Sequence, residues 1–149
     1  MKPTLAIMMA SVILTACAAT PTTTMTAGEG SLTTSAWQLT GWSGHEIPLG
    51  KDRNGGEPVV LRFQDDGKQA SVSGRAWCNQ FNAPYVLRDD SRLTIGHAAA
   101  TRMACPGKAM EFESAFLDKL QALDRYKITG KTLELHAVDG EVMTLQAAP

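Results

Sequence analysis

The chain reads as an α+β domain, mainly β: a curled antiparallel sheet or partial barrel of about seven to eight strands with one packed α-helix. Three observations carry that reading. Short apolar runs with period-two alternation follow one another, separated by Asp-, Gly- and Ser-rich turn signals. The connections are short, which implies antiparallel neighbours. The apolar period changes once, after Pro106-Gly107, and marks an amphipathic helix. One helix cannot cover both faces of so many strands, so the sheet has to curl, with the helix plugging its open side.

Taken in order, Trp37 and Leu39 alternate with polar residues, Trp42 either extends that strand or stands exposed in a Gly-bounded stretch, and Gly44 to Gly56 is loop. Val59-Val60-Leu61-Arg62-Phe63 is a strand closed by the hairpin signal Asp65-Asp66-Gly67. Gln69 to Ser73 resumes the alternation, and Gly74 ends or bulges it. Tyr85-Val86-Leu87 and Leu93-Thr94-Ile95 flank a second hairpin at 88–92. Met110, Phe112, Phe116, Leu117, Leu120 and Leu123 then recur at three- and four-residue intervals, a helix of about four turns. Pro106 stands at its entry, and Glu111 and Glu113 suit its N-terminal dipole. Tyr126-Lys127-Ile128, Thr132 to Leu135 and Val142 to Leu145 complete the strands, with Gly130 and Asp139-Gly140 in the turns.

Ahead of this domain, residues 1–16 have the layout of a secretory signal: Lys2, a short apolar stretch from Leu5 to Leu14, then small residues. The apolar stretch is half the roughly 20 residues that span a bilayer. Leu14-Thr15-Ala16-Cys17 resembles the lipobox of a bacterial lipoprotein, which implies cleavage before Cys17 and acylation of that cysteine. Each buried methylene contributes about 0.8 kcal/mol, so several chains make a lasting membrane anchor. Ala18, rather than Asp, after the cysteine points to the outer membrane, with the domain facing the periplasm. Residues 17–34 are rich in Thr and Gly and poor in large apolar side chains, hence a lipid-anchored flexible tether; 35–149 is the folded domain.

The full chain carries a net charge of −1, and removal of Lys2 with the signal makes it −2. Nothing is basic enough to follow a phosphate backbone, so nucleic acid is not an expected partner. With Cys17 assigned to lipid, Cys78 and Cys105 remain; export favours a disulfide between them over two reduced, buried thiols.

Val72-Ser73-Gly74-Arg75-Ala76-Trp77-Cys78-Asn79-Gln80-Phe81 and Ala100-Thr101-Arg102-Met103-Ala104-Cys105 resemble, in order, the two signatures of the META domain family, which includes HslJ-type bacterial lipoproteins. Glu113, Phe116 and Leu120 are similar to that family's helix, and Trp37-Gln38-Leu39 to its opening strand. Trp77 stands where the family often has a small residue. The resemblance implies a curled antiparallel sheet with one helix on a secreted or lipid-anchored protein. It also implies a link to heat shock and other envelope stress and to novobiocin tolerance, with no reaction attached to the domain.

No catalytic constellation emerges. Cys-x-x-Cys, Gly-x-Ser-x-Gly and phosphate-cradling glycine loops are absent, and His45, His97 and His136 stand singly rather than at metal-ligand spacing. No cofactor or metal is expected, and the protein is expected not to be an enzyme. Candidate binding residues are Asn79 and Arg102, each close to a cysteine, and the aromatics Trp42 and Trp77. Asn79 has an alternative role as a turn cap, and Arg102 as a partner of loop carbonyls or of Glu113. Two functions follow: an envelope lipoprotein contributing to stress tolerance by binding a protein or small ligand, or a periplasmic inhibitor of a protease or lysozyme acting through residues 44–56.

Overall fold

The computed structural model describes residues 31–47, 57–88, 91–105 and 107–148. The expected signal segment, Cys17 and the tether up to residue 30 lie outside the described residues, as do 48–56 of the expected loop and Pro106. The strands are β1 (Ala36–Trp42), β2 (Val60–Asp65), β3 (Ala70–Ala76), β4 (Asn79–Arg88), β5 (Arg92–Ile95), β6 (Ala99–Ala100), β7 (Leu123–Thr129), β8 (Thr132–Ala137) and β9 (Val142–Ala147). Helix α1 (Lys108–Gln121) lies between β6 and β7.

Every pairing is antiparallel, and the order β3-β2-β1-β9-β8-β7-β5-β4 returns on itself because β4 also pairs with β3, from Ser71↔Pro84 to Ala76↔Asn79. The result is a closed eight-stranded barrel, with the short β6 added outside β4 through Phe81↔Ala100 and Asn82↔Ala99. The weakest seam is β5–β7, where Arg92↔Arg125 is the registered pair and Tyr126 N–H donates to the Ser91 carbonyl at 3.0 Å.

At this strand number the interior is just wide enough for side chains to fill. Trp37, Leu39, Leu61, Val72, Leu93, Leu133, Leu135, Met143 and Leu145 fill it, each almost wholly buried. Period-two alternation puts them there, but bulges reset the phase twice. The β1–β9 register shifts between Leu39 and Gly41, so Trp42 faces inward although Trp37 and Leu39 set the opposite parity. Trp42 is therefore 5% exposed, which corrects the alternative of an exposed loop tryptophan. A second shift between Leu123 and Arg125 turns Leu123, expected in the helix, into the first residue of β7.

Helix α1 closes one mouth of the barrel. Its buried residues Ala109, Glu113, Phe116 and Leu120 follow helical spacing. The Phe116 ring meets Trp42 at 6.3 Å and Phe81 at 6.0 Å between centroids. Burying Phe116 and Leu120 contributes about 1.5–3 kcal/mol each. Past the helix, Val138 N–H donates to the Ala122 carbonyl at 3.0 Å and docks the β8–β9 turn against its end. The last residues assigned to the tether belong to the domain: Leu32–Thr34 form a 3-10 turn, Leu32 is buried, and its carbonyl accepts the Trp37 indole N–H at 2.8 Å.

Strand β3 runs through Gly74 to Ala76 instead of ending there, because Gly74 lets β2 approach: a Cβ on it would stand 1.9 Å from the Val60 carbonyl oxygen. At Gly41 a Cβ meets nothing nearer than Thr144 at 3.6 Å. Gly74→Ala is therefore expected to lower stability by about 3 kcal/mol or more, by overpacking against backbone. Gly41→Ala should stay within about 1 kcal/mol. Urea denaturation of the two variants checks the contrast.

Candidate functional site

The candidate residues converge on the helix-capped end of the barrel, where the β3–β4 turn meets the segment leading into α1. Ala76 and Asn79 pair across a two-residue turn made by Trp77 and Cys78. Trp77 has φ 71°, a left-handed conformation usually left to Gly at the first position of such a turn. Three bonds hold it there. Cys78 is disulfide-bonded to Cys105, Glu57 N–H donates to the Trp77 carbonyl at 3.2 Å, and an Arg75 guanidinium N–H donates to the Cys78 carbonyl at 2.9 Å. The disulfide closes a separation of 27 residues, for which chain entropy alone gives about 3.5 kcal/mol.

Asn79 is the hub of this end, 1% exposed with its donors and acceptor engaged. Its backbone N–H and its side-chain NH2 donate to the two oxygens of Glu113 at 2.7 and 2.8 Å. The NH2 also donates to the Met103 carbonyl at 3.2 Å, while Oδ1 accepts from Met103 N–H at 2.7 Å and from the Thr101 hydroxyl at 2.8 Å. Asn79 thus ties the 101–103 segment to the helix rather than capping its own turn. It, not Arg102, takes the Glu113 carboxylate. Arg102 stands exposed on the rim of a groove of about 660 Å³ floored by Ala98–Ala100 and flanked by Met103 and Met110. Glu113 is 6% exposed, an anchor rather than a surface acid at the helix start. The signal that could have revealed it is its place on the buried stripe of α1 with Ala109, Phe116 and Leu120.

Around the other edge of the helix, Trp42 is engaged as well. Its indole N–H donates to Glu141 Oε2 at 2.8 Å, an oxygen 3.1 Å from Lys119 Nζ and 3.6 Å from His45 Nε2. Lys119 also bonds Asp139, and the His45 ring stacks on Trp42 at 3.8 Å. The Trp42 N–H first, then the Lys119 ammonium, hold the Glu141 carboxyl below its ordinary value; the Lys119 hydrogen bond does the same first for Asp139. The Asp139 hydrogen bond in turn raises Lys119. The sequence reading did not bring these side chains together, because the β8–β9 turn and the end of α1 are distant in sequence and meet only on folding.

Trp77 is the partly buried candidate. Its ring meets Phe112 edge-on at 5.7 Å and lines a cleft of about 460 Å³. One wall is the helix stripe Lys108, Glu111, Phe112 and Ala115; the other is His45, Glu46 and Ile47. The indole nitrogen of Trp77 is buried and has no hydrogen-bond partner among the described residues. Among the described residues, no group of three His, Cys, Asp or Glu side chains converges as metal ligands would. His97 is an exposed loop residue, and His136 lies on β8 beside Glu134 at 3.7 Å.

These features define a small, disulfide-braced, helix-plugged antiparallel barrel whose polar residues at the capped end bind one another. A family model for the META domain matches residues 30–149, and the chain belongs to the META domain family. No curated protein matches it. Among solved structures, it is similar to a protein from Burkholderia xenovorans determined by NMR, with TM-score 0.65, 26% identity, and coverage of 78% of this chain and 83% of that one. A DUF4847 family protein from Bacteroides vulgatus shares the fold at TM-score 0.50 and 14% identity, covering 77% of this chain and 93% of that one.

Two outcomes follow from the two polar clusters. Asn79→Ala keeps the backbone N–H on Glu113 but removes the side-chain amide from Glu113, Met103 and Thr101, and is expected to cost about 2–4 kcal/mol in urea denaturation of the oxidised protein; a loss under about 1 kcal/mol would place the tie elsewhere. Glu141 and Asp139 titrate below their ordinary values of 4.5 and 3.8, so their contribution is full above those values and fades as pH falls through the lower folded-state ones. Glu141→Gln should therefore melt below the wild type at neutral pH, and the gap should close in acid.

Proposed function

We propose that the chain is a lipid-anchored envelope protein whose META domain contributes to stress tolerance by binding, without catalysing a reaction. The observation that carries this reading is the disposition of chemistry at the helix-capped end. Asn79, Glu113, Glu141 and Lys119 are occupied by one another, and the barrel interior is filled by its own side chains. What is left facing solvent is a pair of clefts with aromatic, Met, Ala and charged walls, a surface suited to recognition. A nucleophile would need an adjacent base, and Cys78 and Cys105 are bonded to each other instead.

The anchor at Cys17, the outer-membrane address and the periplasmic orientation rest on the sequence alone. They make a tethered domain that meets its partner within the envelope. Mass spectrometry of the processed protein should find acyl chains on Cys17, and Cys17→Ser should release the domain from the membrane fraction. Cells lacking the protein should lose tolerance to heat or novobiocin, the stresses implied by the family resemblance, with wild-type protein restoring it and Cys17→Ser restoring it poorly. Unacylated mature protein would remove the anchor, and unchanged tolerance in the deletion strain would remove the stress role.

A further inference from the structure

Two departures from ordinary protein chemistry coincide at Trp77. A non-glycine residue in the left-handed region costs about 1–3 kcal/mol, and such outliers gather at functional sites. A buried indole N–H without an acceptor among the described residues carries a further desolvation cost, and such a donor in a native structure calls for a reason. The other two tryptophans set the contrast: Trp37 donates to Leu32 and Trp42 to Glu141. The Trp77 ring meets Phe112 edge-on and forms part of the wall of an open cleft.

The walls say what the cleft could hold. Lys108, Glu111, Phe112 and Ala115 recur at i, i+3, i+4 and i+7, so one stripe of α1 faces it, with an apolar centre between Phe112, Ala115, Ile47 and Trp77. The rim carries Glu46 and Glu111 against Lys108, none in an ion pair among the described residues, and two carboxylates against one ammonium disfavour an anion. A volume of about 460 Å³ is within the range of small-molecule sites. We propose that this cleft binds a small neutral amphiphile, a flat apolar body carrying a carbonyl oxygen. The body lies against Phe112 and Ala115, and a turn of the indole brings the Trp77 N–H to the oxygen. This deepens the binding role proposed above and rests on it for its biological meaning.

The test uses the full mature chain made soluble by Cys17→Ser, disulfide intact, with two probes: naphthalene-1-acetamide, and 1-ethylnaphthalene, which has the flat body without the carbonyl. Indole N–H signals of the three tryptophans are followed by NMR and assigned with Trp77→Phe. Saturable binding of the acetamide should move the Trp77 signal downfield while those of Trp37 and Trp42 hold still. Trp77→Phe, which keeps a ring and deletes the donor, should weaken the acetamide about tenfold and the hydrocarbon little. Ala115→Trp, which fills the cleft, should abolish binding of both, with the Trp37 and Trp42 signals in place as proof of folding.

No saturable shift, equal weakening of both probes by Trp77→Phe, or binding that survives Ala115→Trp would each overturn the proposal. Its failure is separable from failure of the binding role. If the probes miss the cleft while the deletion strain still loses tolerance, the ligand assignment falls and the envelope function stands.

Discussion

The carboxylate of Glu113 and the two N–H groups of Asn79 hold the helix to the barrel, and the geometry of the capped end is set around them. An acid on the buried stripe of a helix is costly to desolvate unless its oxygens find donors. Here the donors come from the residue that starts β4, one from its backbone and one from its side chain. Because Asn79 spends its remaining capacity on Thr101 and Met103, the bond fixes three separate segments at once: the β3–β4 turn, the approach to the helix, and the helix itself. The Cys78–Cys105 disulfide joins two of the same segments one residue away from Asn79. A hydrogen bond fixes direction and a covalent bond limits the unfolded ensemble. The two devices act on different states of the chain and do not duplicate each other.

That arrangement leaves the open clefts outside the barrel. An eight-stranded barrel can either fill its interior or keep a small cavity, and this one is filled by Trp37, Leu39, Leu61 and their neighbours. The helix then seals the mouth with Phe116 and Leu120. The clefts that remain open lie at the seams between plug and wall. One seam lies on the β6 side and ends at Arg102; the other lies on the β1 side and ends at Trp77. Trp42 belongs to the wall itself, clamped by Glu141 and stacked under His45, which removes the exposed aromatic that the inhibitor reading placed beside its loop. The greater part of that loop, 48–56, lies outside the described residues.

Much of the fold was legible because its causes are local. Alternation placed the central residues of most strands, Asp65-Asp66-Gly67 placed a turn, and the change of period placed α1. The rest failed for identifiable reasons. A bulge changes which side of a strand faces inward without changing its composition, so the pattern leaves Trp42 ambiguous and misplaces Leu123. The first half of β4 was missed because Asn79 and Pro84 argue against a strand; Asn79 is there for its hydrogen bonds, and Pro84 sits opposite Ser71 within the ladder. Closure could not be inferred from any single strand, since it depends on β3 and β4 finding each other around the ring. At the candidate site, the residues were partly legible and their roles were not. Asn79, Arg102 and Trp77 do flank the two clefts, whereas the partner of Glu113 turned on a hydrogen-bond choice between an amide and a guanidinium.

The choice of Asn79 over Arg102 has a consequence for what the surface can do. Had Arg102 reached in to neutralise Glu113, the capped end would hold a buried ion pair and an uncharged rim. Instead a neutral amide satisfies the acid through short, directed bonds, and the guanidinium is left in solvent at the end of the Ala98–Ala100 groove. The same separation recurs at the Trp77 seam, where structural charges are absorbed by the Lys119–Asp139–Glu141 cluster while Lys108, Glu46 and Glu111 stay on the rim. Most of the charges that stabilise the fold are therefore not the charges on the rims, though Glu113 also borders the Arg102 groove and His45 the Trp77 cleft. The exposed charges Arg102, Lys108, Glu46 and Glu111 are thus free of the bonds that keep the helix in place.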